Sequence, residues 1–196
     1  MHDALRLYFL AFYAVSITVF CVKVVPASLK VPTPEHRAEG IGRLLPPLLV
    51  LFNFILPPLL IFVRAGELDV QWALVRWAGL GLSVYAAAML LWASATLGRF
   101  LVPQAVVLDD HDLVTAGPYR FLRHPAYSGD LALWLGASLA TANVYLLMLW
   151  PLSVVGTYVQ TRQEDALLAS KFGSTYEIYA KRTGGLVPNI ARRSGR

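Results

Sequence analysis

Long apolar runs set the strongest limit on what this chain can fold into. Residues 44–63 form a run of twenty residues without a single charged side chain. The core of a bilayer takes about 20 apolar residues per helix, and a helix in water needs a polar face that this run lacks. The run therefore predicts a membrane-spanning helix, kinked by the proline pairs Pro46-Pro47 and Pro57-Pro58.

Four further apolar runs extend the pattern to five spans, at residues 7–25, 77–97, 126–142 and 143–159. The small residues of the third span favour close helix contact, and the short turn between the last two predicts a helical hairpin. Only 15% of the residues are charged, against about 25% in soluble domains. We therefore predict an all-α, polytopic integral membrane helical bundle of about five transmembrane helices.

The carboxyl-terminal part is more polar. After Gln160, an apolar stripe with helical spacing runs through Leu168, Phe172, Tyr176 and Tyr179. We expect Gly173 to divide this tail into two short amphipathic helices. The chain is predicted to be a single domain, in which residues 1–97 form a three-span scaffold and residues 98–196 carry the candidate site.

The basic residues predict the orientation. The formal net charge is +5, and most Lys and Arg side chains lie in the segments after the first and third spans and in the tail. Topology and anionic lipid head groups explain this placement better than nucleic acid does, so nucleic-acid binding is not expected. The amino terminus is predicted outside and the carboxyl terminus in the cytoplasm, without a cleaved signal peptide. Residues 98–125 and the tail should then meet at the cytoplasmic face.

Three polar pieces would converge there, at residues 104–114, 117–127 and 162–165. Taken singly, each has an ordinary structural explanation. Gly117-Pro118 is typical of a turn, and His124-Pro125 of a helix start. Glu164-Asp165 would suit a solvated helix face. The four histidines have no cysteine partners at zinc-site spacing, so no metal is expected.

In combination, these residues resemble a known signature. Arg123-His124-Pro125 is followed after eight residues by Trp134, and after twenty-nine more by the acidic pair Glu164-Asp165. This pattern is similar to that of the isoprenylcysteine carboxyl methyltransferases, whose wider family includes phospholipid methyltransferases. The resemblance covers roughly residues 98–190.

The resemblance implies a membrane methyltransferase that uses S-adenosyl-L-methionine, held between the hairpin and the tail. Carried onto this chain, the cofactor-binding positions of the family fall on Gln104, His111, Asp112, Leu113, Val114, Tyr119, His124, Pro125, Ala126, Tyr127 and Glu164. Glu164 can pair with the ammonium of the cofactor, and His124 or a nearby arginine with its carboxylate. The tyrosines can cover the sulfonium or the adenine.

Glu164, His124 and Arg162 are the catalytic candidates. Methyl transfer needs alignment and exclusion of water more than acid–base work, although an amine, phenol or thiol acceptor would also need a base. Where the prenylcysteine enzymes have a substrate arginine, this chain has Gln160, which leaves the acceptor open. We expect a lipophilic molecule, such as a prenylcysteine-like carboxylate, that enters from the surrounding membrane lipids. The alternatives are a phospholipid amine N-methyltransferase and a non-enzymatic lipid-binding membrane module.

Overall fold

The computed structural model describes residues 2–19, 21, 36–37, 44–70, 72–98, 106–107 and 113–189. In chain order its elements are α1 (His2–Val19), β1 (His36–Arg37), α2 (Leu45–Val50), a π-helical turn (Leu51–Ile55), α3 (Leu56–Phe62), α4 (Ala73–Leu97), β2 (Val106–Val107), a 3₁₀ turn (Gly117–Arg120), α5 (Pro125–Thr141), α6 (Val144–Phe172) and α7 (Ser174–Arg182). β1 and β2 pair in antiparallel fashion, with His36 opposite Val107. Apart from this short pair and two isolated bridges, the regular structure of the described chain is helical, and the predicted all-α membrane bundle is confirmed.

Three helical segments are long and apolar enough to cross a membrane: Leu45–Phe62, α4 and α6. The other two predicted spans are also helices. α1 begins at His2, before the predicted start at residue 7, and is described as far as Val19. α5 has 17 residues, which corresponds to about 26 Å, somewhat less than the thickness of a bilayer core of about 30 Å.

The run from Leu45 to Phe62 is continuous, but its middle turn is π-helical. Pro57 and Pro58 have no backbone N–H groups, so the carbonyls of Asn53 and Phe54 lose their regular α-helical donors. The wider turn accommodates this loss and brings the polar side chain of Asn53 into the bundle, where it is buried.

The closest helix packing is between α4 and α5. A methyl group placed on Gly79 would lie 2.6 Å from the carbonyl oxygen of Gly136, and one on Gly136 would lie 2.8 Å from the carbonyl oxygen of Gly79. Ser83 and Ala86, further along α4, are also buried. The small residues of the predicted third span therefore allow close helix contact, as expected from the sequence.

The core lies where α1, α3, α5 and α6 meet. The largest buried side chain is Trp134, which donates a hydrogen bond to the carbonyl of Leu146 at 2.9 Å and packs its ring 4.9 Å from that of Phe52. The hairpin turn is closed by Asn143, whose side chain accepts from the Leu146 N–H at 3.0 Å and so caps α6. Trp134 is thus a core residue rather than an interfacial one.

The tail differs from the prediction in one respect. The helix that begins with the fifth span does not end near residue 159, because α6 continues through the polar sequence as one helix of 29 residues to Phe172. Residues 160–172 are mostly good helix formers, with no glycine or proline among them. The predicted break at Gly173 is confirmed, since this residue has φ of 53° and separates α6 from α7. The division into a scaffold and a site-bearing part stays a prediction.

Candidate active site

The segment before α5 is held against the end of the tail by backbone hydrogen bonds. Leu122 and Gly184 form a parallel bridge, in which the Arg123 N–H donates to the Gly184 carbonyl at 2.8 Å. The His124 N–H donates to the Gly185 carbonyl at 3.3 Å. The predicted meeting of the segment up to residue 125 with the tail is therefore present in the structure.

Asp165 is the shared acceptor of the polar contacts at this end of the bundle. Its carboxylate accepts from Arg123 Nε at 3.2 Å and Nη2 at 3.1 Å, and from His124 Nε2 at 2.7 Å. The hydroxyl of Tyr176 also donates to it. Because four donors on three side chains converge on Asp165, its carboxylate is fully engaged in joining α5, α6 and α7.

Arg123 has a second set of contacts on the tail. Its Nη1 donates to the carbonyls of Ala180 at 3.1 Å and Thr183 at 2.8 Å. These carbonyls lie at the end of α7, where the helix leaves its last acceptors without partners. The guanidinium therefore caps α7 while it pairs with Asp165.

Glu164 has a different environment. It accepts from the Tyr127 hydroxyl at 2.5 Å and from Gln160 Nε2 at 2.9 Å, and its second oxygen lies 3.5 Å from His124 Nδ1. Its side chain is still 22% exposed, whereas that of His124 is 4% exposed. Glu164 is thus oriented by its neighbours but keeps an accessible face.

His124 lies between the two carboxylates. Burial lowers the pKa of its imidazole, but the hydrogen bonds that it donates to Asp165 and Glu164 and the negative charges of these groups outweigh burial and raise the pKa to about 9. At neutral pH the ring is therefore a cation that donates from both nitrogens, which is unsuitable for a general base.

The tyrosines around the site are neutral hydrogen-bond donors. The Tyr179 hydroxyl donates to the carbonyl of Tyr119 at 2.7 Å, and burial raises the pKa of Tyr179 to about 12. Burial also raises the pKa of Tyr119 and of Tyr176. The stripe that sequence analysis identified as apolar thus also supplies hydroxyl donors to the site.

The structure brings together many of the residues singled out from the sequence. Tyr119, His124, Pro125, Ala126, Tyr127 and Glu164 lie in this region, and Leu113 and Val114 lie half-buried in the segment that leads to it. Gln104, His111 and Asp112 lie outside the described residues. Arg162 is on the exposed side of α6 and has no hydrogen bond or ion pair within the described parts of the chain. Its catalytic role stays a prediction that this position does not favour.

Sequence reasoning missed a second polar cluster deeper in the bundle. Asn53 Nδ2 donates to Asp130 Oδ2 at 2.7 Å, and Ser153 Oγ donates to Asn53 Oδ1 at 2.9 Å. Asp130 lies in the second turn of α5, against the π-helical turn that carries Asn53. The only signal for this contact in the apolar run of residues 44–63 is its single polar residue, Asn53.

The fold and the site define the class of this protein: a helical membrane bundle whose polar site lies between one helical hairpin and the carboxyl-terminal tail. Comparison with known sequences identifies the family. The model of the phospholipid methyltransferase family matches residues 74–175, just over half of the chain. The chain therefore belongs to this family, and the resemblance identified from the sequence is confirmed.

Individual relatives match over shorter lengths. A protein-S-isoprenylcysteine O-methyltransferase of Schizosaccharomyces pombe is 37% identical over 82 residues, which cover 41% of this chain and 35% of the relative. A probable protein-S-isoprenylcysteine O-methyltransferase of Oryza sativa subsp. indica is 31% identical over 133 residues, 63% of this chain and 66% of the relative. The cobalt-zinc-cadmium resistance protein CzcN of Cupriavidus metallidurans is 32% identical over 124 residues, 61% of this chain and 57% of the relative. The chain thus spans between about a third and two thirds of the length of these relatives.

Proposed function

We propose that this protein is an S-adenosyl-L-methionine-dependent methyltransferase that methylates a lipophilic acceptor at the cytoplasmic face of the membrane. Glu164 carries the proposal: it is a carboxylate oriented by Tyr127 and Gln160 but still accessible, at the position where the family places a cofactor ligand. The names of the relatives support the reaction class.

The polar groups around Glu164 fit the amino-acid end of the cofactor. Gln160 is fully buried, and its Oε1 atom has no hydrogen-bond partner within the described residues. An α-ammonium brings three N–H donors, which can satisfy Gln160 Oε1 and the accessible part of the Glu164 carboxylate together. His124 already donates to Asp165 and Glu164, so its positive charge can attract the carboxylate of the cofactor only without a direct hydrogen bond. Gln104, His111, Asp112, Leu113, Val114 and Tyr119 remain proposed contacts from the resemblance.

The proposed roles follow from how each side chain is engaged. When bound, the cofactor supplies an electrophilic methyl group on a sulfonium. Asp165, bonded to Arg123, His124 and Tyr176, acts as a positioning residue that holds the tail over the site. His124 orients Glu164 and supplies positive charge. The residues of the site would bind, align and exclude water rather than take part in strong acid–base chemistry.

The acceptor is proposed to be lipophilic because the site lies at the end of membrane helices. The isoprenylcysteine relatives favour a prenylcysteine-like carboxylate. Gln160, however, lacks the charge with which an arginine would hold such a carboxylate. A lipid amine is therefore the second candidate, favoured by the Asp130 carboxylate within the same hairpin.

Titration with S-adenosyl-L-methionine in detergent tests the cofactor role of Glu164. We expect the purified protein to bind the cofactor and Glu164→Gln to weaken binding by about 30-fold or more, since a charge-assisted contact to a buried partner is lost. Glu177→Gln, the same change on the exposed side of α7, is the matched control and should bind normally. Thermal unfolding of both variants checks that they are folded.

Two results would contradict the assignment. If the unmodified protein gives no heat of binding with S-adenosyl-L-methionine, the proposed function itself is contradicted. Normal cofactor affinity in Glu164→Gln, with turnover alone reduced, would instead assign Glu164 to proton transfer with the acceptor.

A further inference from the structure

The chain after α7 runs alongside the start of α5 and in the same direction. The parallel bridge between Leu122 and Gly184 sets this direction. In the first turn of α5, the Ser128 hydroxyl donates to the Leu186 carbonyl at 2.5 Å. Because α5 is one of the predicted membrane spans, this contact brings the tail to the depth of the first turn of a membrane helix. Leu186 therefore lies near the boundary between the lipid head groups and the apolar core.

A tight turn follows at this depth and exposes an apolar side chain. The backbone of Gly184 lies so close to the Val187 carbonyl that any side chain at position 184 would collide with it. Leu186 is half-buried, whereas Val187 is 71% exposed. An exposed apolar residue at the depth of a membrane helix suits contact with lipid rather than with water.

Cationic side chains lie on the helix that leads into this turn. Lys181 and Arg182 form the last turn of α7 and are both exposed. They follow Ile178 by three and four residues, so they share a face of the helix with a second exposed apolar side chain. Arg120 is also exposed, in the 3₁₀ turn to which α7 is hydrogen-bonded. The only acid of α7 is Glu177, so this surface has a net positive charge.

We propose that α7 and the turn after it bind an anionic membrane surface. Val187 enters the apolar part of the lipid interface, and Lys181 and Arg182 lie against lipid phosphates. The partner is a lipid surface rather than a protein, because apolar exposure at membrane depth and positive charge occur together on one short segment. Apolar contact alone would not distinguish lipids, so the charge makes the binding selective for anionic ones.

This surface is also connected to the candidate site. Arg123 and His124 donate to the carbonyls of residues 183–185, between α7 and the apex of the turn. Lipid binding therefore holds the tail against the residues that surround Glu164. This consequence, which rests on the proposed function, predicts tighter cofactor binding in an anionic membrane.

An environment-sensitive dye tests the lipid contact without the cofactor. With Cys21 replaced by serine, Val187→Cys is labelled with a nitrobenzoxadiazole dye and placed in nanodiscs of phosphatidylcholine, alone or mixed with phosphatidylglycerol. We expect stronger, blue-shifted emission in the anionic discs. The double change Lys181→Gln and Arg182→Gln should abolish this difference, and high salt should reduce it.

Arg64→Gln is the matched control, since it removes an exposed cation at the hairpin end of the bundle. It should leave the difference between the discs unchanged. Equal emission in the two kinds of disc would overturn the proposal, whether the dye reports water or lipid. Water-like emission in both would assign the exposed residues to a protein partner instead. Thermal unfolding checks that each variant is folded.

Titration with S-adenosyl-L-methionine in the same discs tests the connection to the site. The unmodified protein should bind the cofactor several-fold more tightly in anionic discs, and the double variant should lose most of this gain. Attraction of the cationic cofactor to the anionic surface is common to both proteins and cancels in the comparison. An equal gain in both would contradict the connection. Absence of cofactor binding in either disc would contradict the proposed function, whereas the dye would still report the lipid contact.

Discussion

The position of His124 between two carboxylates links the stability of the site to pH. In the folded protein its pKa is about 9, against 6.5 for an ordinary histidine. The charged contacts therefore contribute their full stability below about pH 6.5. Between these two values the folded state holds a proton that the unfolded state has released, so stability falls as pH rises and the contribution is lost above about pH 9.

We expect this loss to appear in thermal unfolding of the detergent-solubilised protein between about pH 6 and about pH 10. The melting temperature of the unmodified protein should fall faster across this range than that of His124→Gln, which has no proton to lose at this position. Other groups that titrate in the range are common to both proteins and cancel in the difference. Parallel curves for the two proteins would show that His124 is not held as a cation.

At the level of single residues, the sequence predicts which side chains gather but not what each one does. The family resemblance implied that His124, Tyr127 and Glu164 belong to one site, and in the structure Tyr127 and His124 both lie against Glu164. Arg123 and Arg162 looked equally available from the sequence, yet one is bonded to Asp165 and the end of α7 and the other is exposed. That difference depends on the direction of each side chain in the folded protein, which a motif does not encode.

At the level of helices, the contact between α4 and α5 depends on two glycines whose backbones approach each other. Gly79→Ala or Gly136→Ala should lower stability by about 1–3 kcal/mol, because the added methyl group would lie against a backbone oxygen that has no room to move. Gly81→Ala, on the same helix but with nothing within 4 Å of the added group, is the matched control. It should be neutral or stabilising by up to about 1 kcal/mol.

Thermal unfolding of the three variants in one detergent measures this difference. A similar loss in all three would contradict the close contact of Gly79 and Gly136 as the cause.

The apolar runs and breaker residues predicted the helices well, including the hairpin and the break at Gly173. These sequence signals failed where tertiary contacts determine the conformation of the chain. The polar half of α6 reads as a separate tail, but good helix formers and the contacts of Asp165 continue the helix. The π-helical turn was also missed: the prolines predicted a kink but not that it would bring Asn53 to Asp130.

For the whole molecule, the distribution of basic residues predicts the amino terminus outside and the site on the cytoplasmic side. Asp69 and Ser174 are exposed, at the hairpin end and the site end of the bundle respectively. With Cys21 replaced by serine, Asp69→Cys should react with a membrane-impermeant maleimide on intact cells, and Ser174→Cys only after permeabilisation. The reverse pattern would place the site outside the cell.

The bridge between Leu122 and Gly184 has a consequence for how this protein relates to its family. The matched stretch, residues 74–175, contains Tyr127, Asp130 and Glu164. Asn53 comes before that stretch, and Tyr176 and Gly184 come after it. The shared part thus supplies only some of the contacts at the candidate site, and the flanking sequence supplies the others. Under the proposed function, exchanging those flanks between relatives would change the surroundings of the acceptor while Glu164 stays in place.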